Sequence, residues 1–158
     1  MAYQNNGYQR GGYQGNYGNR PTSQGSVAQA PEIKPLPVPD DYVTAAENFM
    51  NQYMHENGNK ITTTKIRSFL ALIDEIYNVE NLRTEKTLSS ESKLKIMRLR
   101  VRVVYDAGRD KDVKNFVTQA KLVEYLKGIG DSREDAIKFA HYMEALVAYH
   151  RYWGGKEN

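Results

Sequence analysis

The sequence predicts an all-α protein: a compact five-helix bundle with a disordered N-terminal tail. Three observations carry that reading. From about residue 41 onward apolar side chains recur at helical spacing, and no stretch alternates with the period of two that a half-buried strand needs. Capping residues and glycines interrupt the pattern at short intervals, which suits helices joined by short connections. The first 20 residues, in contrast, carry no aliphatic side chain beyond Met1 and Ala2. At 158 residues the chain is long enough for one domain with a real core.

Residues 1–40 are expected to be disordered. A Tyr-Gln-x-x-Gly theme returns at Tyr3, Tyr8, Tyr13 and Tyr17, and such a segment cannot bury enough apolar area to offset its chain entropy. Tracts of this kind can stack loosely on single-stranded bases, or make no specific contact at all. Pro31, Pro35, Pro37 and Pro39 form a stiff extended connector. Asp40 or Asp41 opens the ordered domain, 41–158.

Helix 1 is expected from about Val43 to Glu56, with Ala46, Phe49, Met50, Tyr53 and Met54 on one face and Asn57-Gly58-Asn59 as its stop. Helix 2 begins at Thr62-Thr63-Thr64, whose hydroxyls suit an N-cap, and places Ile66, Phe69, Leu70, Ile73, Ile76 and Tyr77 in register. The polar segment 80–88 reads as a loop. Helix 3 is capped by Ser89 or Ser90 and stopped at Gly108. Asp110 caps helix 4, about Lys111 to Lys127, with Val113, Phe116, Val117, Ala120 and Val123 as its face. Ser132 opens helix 5, which runs to about Trp153.

Helix 3 carries the most unusual stretch, Lys93 to Arg109. It holds six Lys/Arg and a single acid, Asp106, for +5 in a chain whose formal charge is +3, so all other residues sum to −2. On a helical wheel Leu94, Met97, Val101, Val104 and Tyr105 form one apolar stripe, and Ile96, Leu99, Val103 and Ala107 a second on roughly the opposite side. Lys95, Arg98 and Arg102 fall in one gap, with Arg109 on the same line if the helix extends that far; Lys93 and Arg100 fall in the other. A helix apolar on two sides packs between neighbours, so its cationic rows surface in the seams of the bundle. Snorkelling arginines on a solvated face are the ordinary explanation. The near absence of interspersed acids points instead to a polyanion-binding groove.

No cysteine is present, which excludes disulfides, thiol nucleophiles and thiolate metal sites and fits a reducing cytoplasm. No apolar run is long enough to span a membrane. Catalysis finds little support. His141 and Glu144 are one turn apart without a third ligand, so no metal or other cofactor is expected. His150 lies within the apolar face of helix 5 and reads as a core or interface histidine. Gly128-x-Gly130 lacks both a third glycine and a preceding strand. A helix-turn-helix made of helices 2 and 3 fails because the loop between them is too long.

Binding finds more. The threonines, free backbone N–H groups, Lys65 and Arg67 at the start of helix 2 form a candidate phosphate site. Gly108-Arg109-Asp110 is a tight turn that can present Arg109 beside a helix N-terminus. Tyr149, Tyr152 and Trp153, around His150, exceed what one small bundle needs to close, and so suit a base-stacking platform or a protein interface.

Three segments, ITTTKIRSFLALIDEIYN (61–78), LRVRVVYDAGRDKDVKNFV (99–117) and YMEALVAYHRYWGGK (142–156), resemble the small helical subunit of the type III-A CRISPR–Cas Csm effector complex. The resemblance covers nearly all of 41–158, and residues 1–40 have no counterpart in it. It implies a five-helix, non-catalytic subunit that stacks in copies along the effector filament, beside backbone and large subunits, and guides target RNA as it pairs with the CRISPR RNA. It also marks Arg67, Arg100 and Arg109 as the leading RNA contacts. The wheel adds the row Lys95, Arg98 and Arg102, with Lys65 nearby. Two other readings remain beside it: a stand-alone helical scaffold whose basic seams bind acidic protein, and a small metal-independent nuclease built on His141 and Glu144.

Overall fold

The structure, a computed structural model, describes residues 30–158; the repeats at Tyr3 to Tyr17, and the disorder expected of them, lie outside the described residues. From Glu32 onward the chain forms one unit of six helices: α1 (Tyr42–Asn57), α2 (Thr63–Glu80), α3 (Ser90–Arg109), α4 (Lys111–Gln119), α5 (Leu122–Gly128) and α6 (Arg133–Tyr152). No strand ladder occurs among the described residues; one isolated bridge joins Thr87 to Ser132. Every expected N-cap is made by a side chain. Asp41 accepts from the Thr44 amide, Thr62 from Lys65, Ser89 from Ser92, Asp110 from Asp112 and Val113, and Ser132 from Asp135. Each satisfies backbone donors that the first turn would otherwise leave open.

The expected fourth helix is two helices, so the count is six rather than five. Lys121 adopts a left-handed conformation (φ 55°) between them. On an unbroken helix, Leu122, Leu126 and Ile129 would fall about 160–220° from Val113, on the wrong side of the face formed with Phe116 and Val117. The break turns the chain so that both sets are buried. A non-glycine residue in this region costs about 1 kcal/mol, which the burial of three large aliphatic side chains offsets.

The centre of the bundle is α6, not α3. It packs chiefly against α1 and α2 and also meets α5, where Tyr125 lies edge to face on Tyr142. Ala136, Phe139, Ala140, Tyr142, Met143, Leu146 and His150 are all buried on it, and the two alanines let its neighbours come close. By contrast, α3 has neighbours on one side only, namely α2, α4 and α5. Ile96, Leu99 and Val103 face them and are buried, while every residue of the other stripe, from Leu94 to Tyr105, is at least half exposed. A wheel cannot say which of two apolar stripes gains a partner; here only one does.

Two further segments are tied down. The proline-rich connector is a strap, so order begins before Asp40. Leu36 donates its amide to the Glu124 carbonyl (3.0 Å), Lys127 reaches the Ile33 carbonyl, and Val38 is buried. Gly128 makes room for the strap: a β-carbon there would lie 1.8 Å from the Leu36 carbonyl oxygen. The polar loop after α2 is pinned by buried Glu80. Its carboxylate accepts from the Ser89 amide (3.1 Å), the Ser89 hydroxyl (2.8 Å) and Arg83 (2.7 Å), and Arg133 grips the Glu80 backbone carbonyl (2.7 Å). Leu88 beside it is buried, with its amide on the Asp131 carbonyl.

Candidate nucleic-acid interface

Two adjoining clefts run along the seam between α2 and α3. The first, about 390 Å³, lies where the start of α2 meets the end of α3 and the start of α4; Lys65, Arg102, Arg109, Asp106 and Asp110 bring its charges. The second, about 290 Å³, lies one to two turns back along α3 and holds Lys95, Arg98, Arg102 and Glu75. Arg102 lines both. The wheel row Lys95, Arg98, Arg102 and Arg109 is thus one continuous cationic seam, joined by Lys65 from α2. Cations one or two turns apart reach this seam because α3 keeps an unbroken helical period through Arg109.

The cations of the seam differ in how they are held. Lys65 is paired with Asp110 across the cleft, and Asp110 also caps α4. The Lys65 ammonium, followed by the Val113 amide, holds the Asp110 carboxyl below the ordinary carboxylate range. Lys95 is paired with Glu91 at 3.1 Å and lies 3.9 Å from Glu75. Arg102 Nε donates to Asp106 at 2.7 Å. Arg109 lies over the Tyr105 ring, 5.4 Å from its centroid, and donates to the tyrosine hydroxyl at 3.4 Å; this contact orients the guanidinium without neutralising it. Among the described residues neither Arg98 nor Arg109 has a carboxylate partner.

Arg67 and Arg100 stand apart from the seam. Arg100 is half-buried and lines neither cleft, pointing off another side of α3 as the wheel placed it. Arg67 is exposed and faces Glu157 at 3.4 Å, which also takes Arg151 at 2.8 Å. The phosphate site expected at the start of α2 is already filled. The Thr63 and Thr64 amides donate to the Lys156 and Glu157 carbonyls at 2.7 and 3.0 Å, and the Lys65 amide goes to Thr62. The open donors of that helix end are therefore taken by the C-terminal segment, and the run of three threonines serves this latch.

His150 completes the latch and is fully buried, so it belongs to the core rather than to a surface meeting a partner. Its Nε2 lies 3.2 Å from the Ile61 carbonyl and its Nδ1 3.0 Å from the Thr63 hydroxyl, which also reaches the Lys156 carbonyl at 2.9 Å. Burial pushes the His150 pKa down and favours the neutral ring. Of the other aromatic candidates, Tyr149 is half-buried with its hydroxyl on Glu47 (3.3 Å). Tyr152 and Trp153 are exposed and pack edge to face at 4.9 Å. His141 stacks on Tyr42 at 5.8 Å and meets Glu144 at 3.0 Å. No group of three or more metal-ligating side chains occurs among the described residues.

The model of the family described as "Csm2 Type III-A" matches residues 37–156. The chain belongs to the Csm2 family. It is 42% identical over 120 residues to the "CRISPR system Cms protein Csm2" of Mycobacterium tuberculosis (strain ATCC 25618 / H37Rv), covering 76% of this chain and 97% of that protein. The protein of the same description from Streptococcus thermophilus is 38% identical over 120 residues, 75% of this chain and 95% of the relative. That from Enterococcus italicus is 30% identical over 98 residues, 60% and 69% of the two chains. These likenesses make the chain a small subunit of the type III-A Csm complex. The Csm2 match begins at 37, inside the strap and ahead of α1.

One surface of this Csm2-family chain was misassigned by the sequence reading. Leu94, Met97, Val101 and Tyr105, expected to pack inside the bundle, instead line an apolar groove of about 430 Å³ rimmed by Arg98 and Arg102. The only signal was the duplication of apolar stripes on α3. The groove shares its rim with the cationic seam, so the two surfaces meet along one row of arginines.

Proposed function

We propose that this subunit is a non-catalytic, RNA-backbone-binding component of the cytoplasmic type III-A effector. It holds target RNA as that strand pairs with the CRISPR RNA, and it leaves sequence reading to base pairing. The supporting observation is the α2–α3 seam. Its cations come from two helices, line two adjoining open clefts that share Arg102, and include two guanidiniums, Arg98 and Arg109, with no carboxylate partner among the described residues. Phosphate contacts of this kind fix a strand's position without reading its bases. Copies of the chain stack along the filament beside the backbone and large subunits, with the exposed α3 stripe as a protein-facing surface.

Within the seam, Arg109, Arg98 and Arg102 are the leading contacts, and Lys65 and Lys95 support them. Arg100 and Arg67 take contacts on other sides of the subunit. The test is RNA binding by the full-length chain, measured by fluorescence anisotropy across a salt series. Binding should be sequence-blind and weaken steeply with salt. Arg109→Ala should lower the slope of log Kd against log salt by about 0.7, the value for one phosphate of a single strand, while the helical CD spectrum stays unchanged. RNA binding that Arg109→Ala and Arg98→Ala leave intact would remove the reading. Capture of Csm subunits without retained guide RNA would favour the scaffold alternative.

A further inference from the structure

The first cleft holds two carboxylates among its three cations, and the two are not equivalent. Asp110 is committed to the fold: it caps α4 through the Asp112 and Val113 amides and also takes Lys65 from α2. Asp106 has no such duty. Among the described residues the one side-chain hydrogen bond of its carboxylate comes from Arg102, one turn earlier on the same helix. Among the described residues it caps no helix and pairs with nothing across the cleft, yet it lines the cleft where an incoming anion would approach. It is also the single acid in the most basic stretch of the chain. Its partner, Arg102, is the residue shared by both clefts.

We infer that Asp106 is an internal counter-ion that occupies the Arg102 guanidinium in the free subunit and competes with an RNA phosphate for it, and so limits the affinity of the seam. This inference rests on the RNA-backbone reading given above and adds to it the residue that limits its strength. When a phosphate docks, Arg102 exchanges one oxyanion for another, so the net gain at this position is small. Arg98 and Arg109, which give up no carboxylate, contribute more. A strand held this way leaves readily.

The test compares wild type, Asp106→Asn, Arg102→Gln and the double variant. A fluorescent uridine oligonucleotide is titrated with each full-length protein at several salt concentrations. Asp106→Asn should bind about 3–10-fold more tightly at ~0.1 M salt, with a slope of log Kd against log salt steeper by up to about 0.7. Melting should change little, because the substitution removes one ion pair between adjacent turns of a single helix, in which Arg102 is exposed and Asp106 partly buried. In the double variant the gain should vanish. Equal or weaker binding by Asp106→Asn would overturn the inference, because the carboxylate would then be orienting Arg102 rather than competing for it. A gain that survives without Arg102 would also overturn it, because general charge would then be the cause. If Asp106→Asn is silent while Arg98→Ala and Arg109→Ala lose binding, the counter-ion role alone fails. If none of the variants differs from wild type, or wild type binds no RNA, the backbone-binding reading fails and takes the counter-ion with it.

Discussion

Glu80→Gln should expose how much one buried carboxylate contributes to this bundle. The side chain is fully buried at the end of α2. Burial alone would raise its pKa, but the nearby Ser92 hydroxyl and the hydrogen bonds from Ser89 and Arg83 outweigh that and bring it from 4.5 to about 2. The ionised form is therefore favoured in the folded chain. The resulting stability is present in full above the unfolded value, near 4.5, and is lost as pH falls towards about 2. At 1.36 kcal/mol per pH unit this amounts to about 3 kcal/mol at neutral pH. Glutamine keeps the shape but turns an amide N–H₂ towards one of these donors. Urea unfolding of both proteins between pH 7 and pH 2 reads the effect. The variant should be about 3 kcal/mol less stable at pH 7, which is a fall of roughly 10 °C in Tm for a domain of this size. The gap should shrink to roughly half near pH 3 and to a few tenths near pH 2. Taking the difference cancels the other titrating carboxylates. A gap independent of pH, or a Tm within about 2 °C of wild type at pH 7, would refute the reasoning.

Two smaller perturbations test other parts of the structure. Gly128→Ala places a β-carbon 1.8 Å from the Leu36 carbonyl oxygen, so the strap should lift. The Leu36 amide, bonded to Glu124 in the wild type, should lose its protection from hydrogen exchange, while α1 and α6 keep theirs. Val101→Glu changes a residue that is 68% exposed. It should leave the Tm of the free chain within about 1 °C but reduce co-purification with the other Csm subunits; undiminished co-purification would show that the stripe is not an assembly surface.

What the sequence revealed was local chemistry. Asp110 and Ser132 could be named as caps, and the others narrowed to Asp40 or Asp41, Thr62 to Thr64 and Ser89 or Ser90, because a cap depends on residues within one turn. The row Lys95, Arg98, Arg102 and Arg109 could be placed because helical period alone aligns it. What stayed hidden was decided by partners far along the chain. The choice between the two stripes of α3 depends on where α2, α4 and α5 lie. The filling of the α2 N-terminus depends on residues some ninety positions later, and nothing in Thr62-Thr63-Thr64 distinguishes a latch from a phosphate site. The break at Lys121 was legible in principle, since the apolar register jumps between Ala120 and Leu122. The strap signal was Ile33, Leu36 and Val38 among the prolines, too slight to set against their stiffness. His150, polar on an apolar face, was correctly suspected of packing, but its partners Ile61 and Thr63 could not be named.

The latch between the start of α2 and the C-terminal segment also has a kinetic meaning. Its hydrogen bonds join residues 93 positions apart, so they close a loop that takes in most of the domain. The chain entropy of that closure must be met before any of these bonds contributes, and contacts of such separation belong to the late, slow part of folding. They should correspondingly be among the first to open, with the Thr63 and Thr64 amides exchanging ahead of the helices they adjoin. Each such opening briefly returns two unpartnered backbone donors to the start of α2, one residue from Lys65 and the cationic seam.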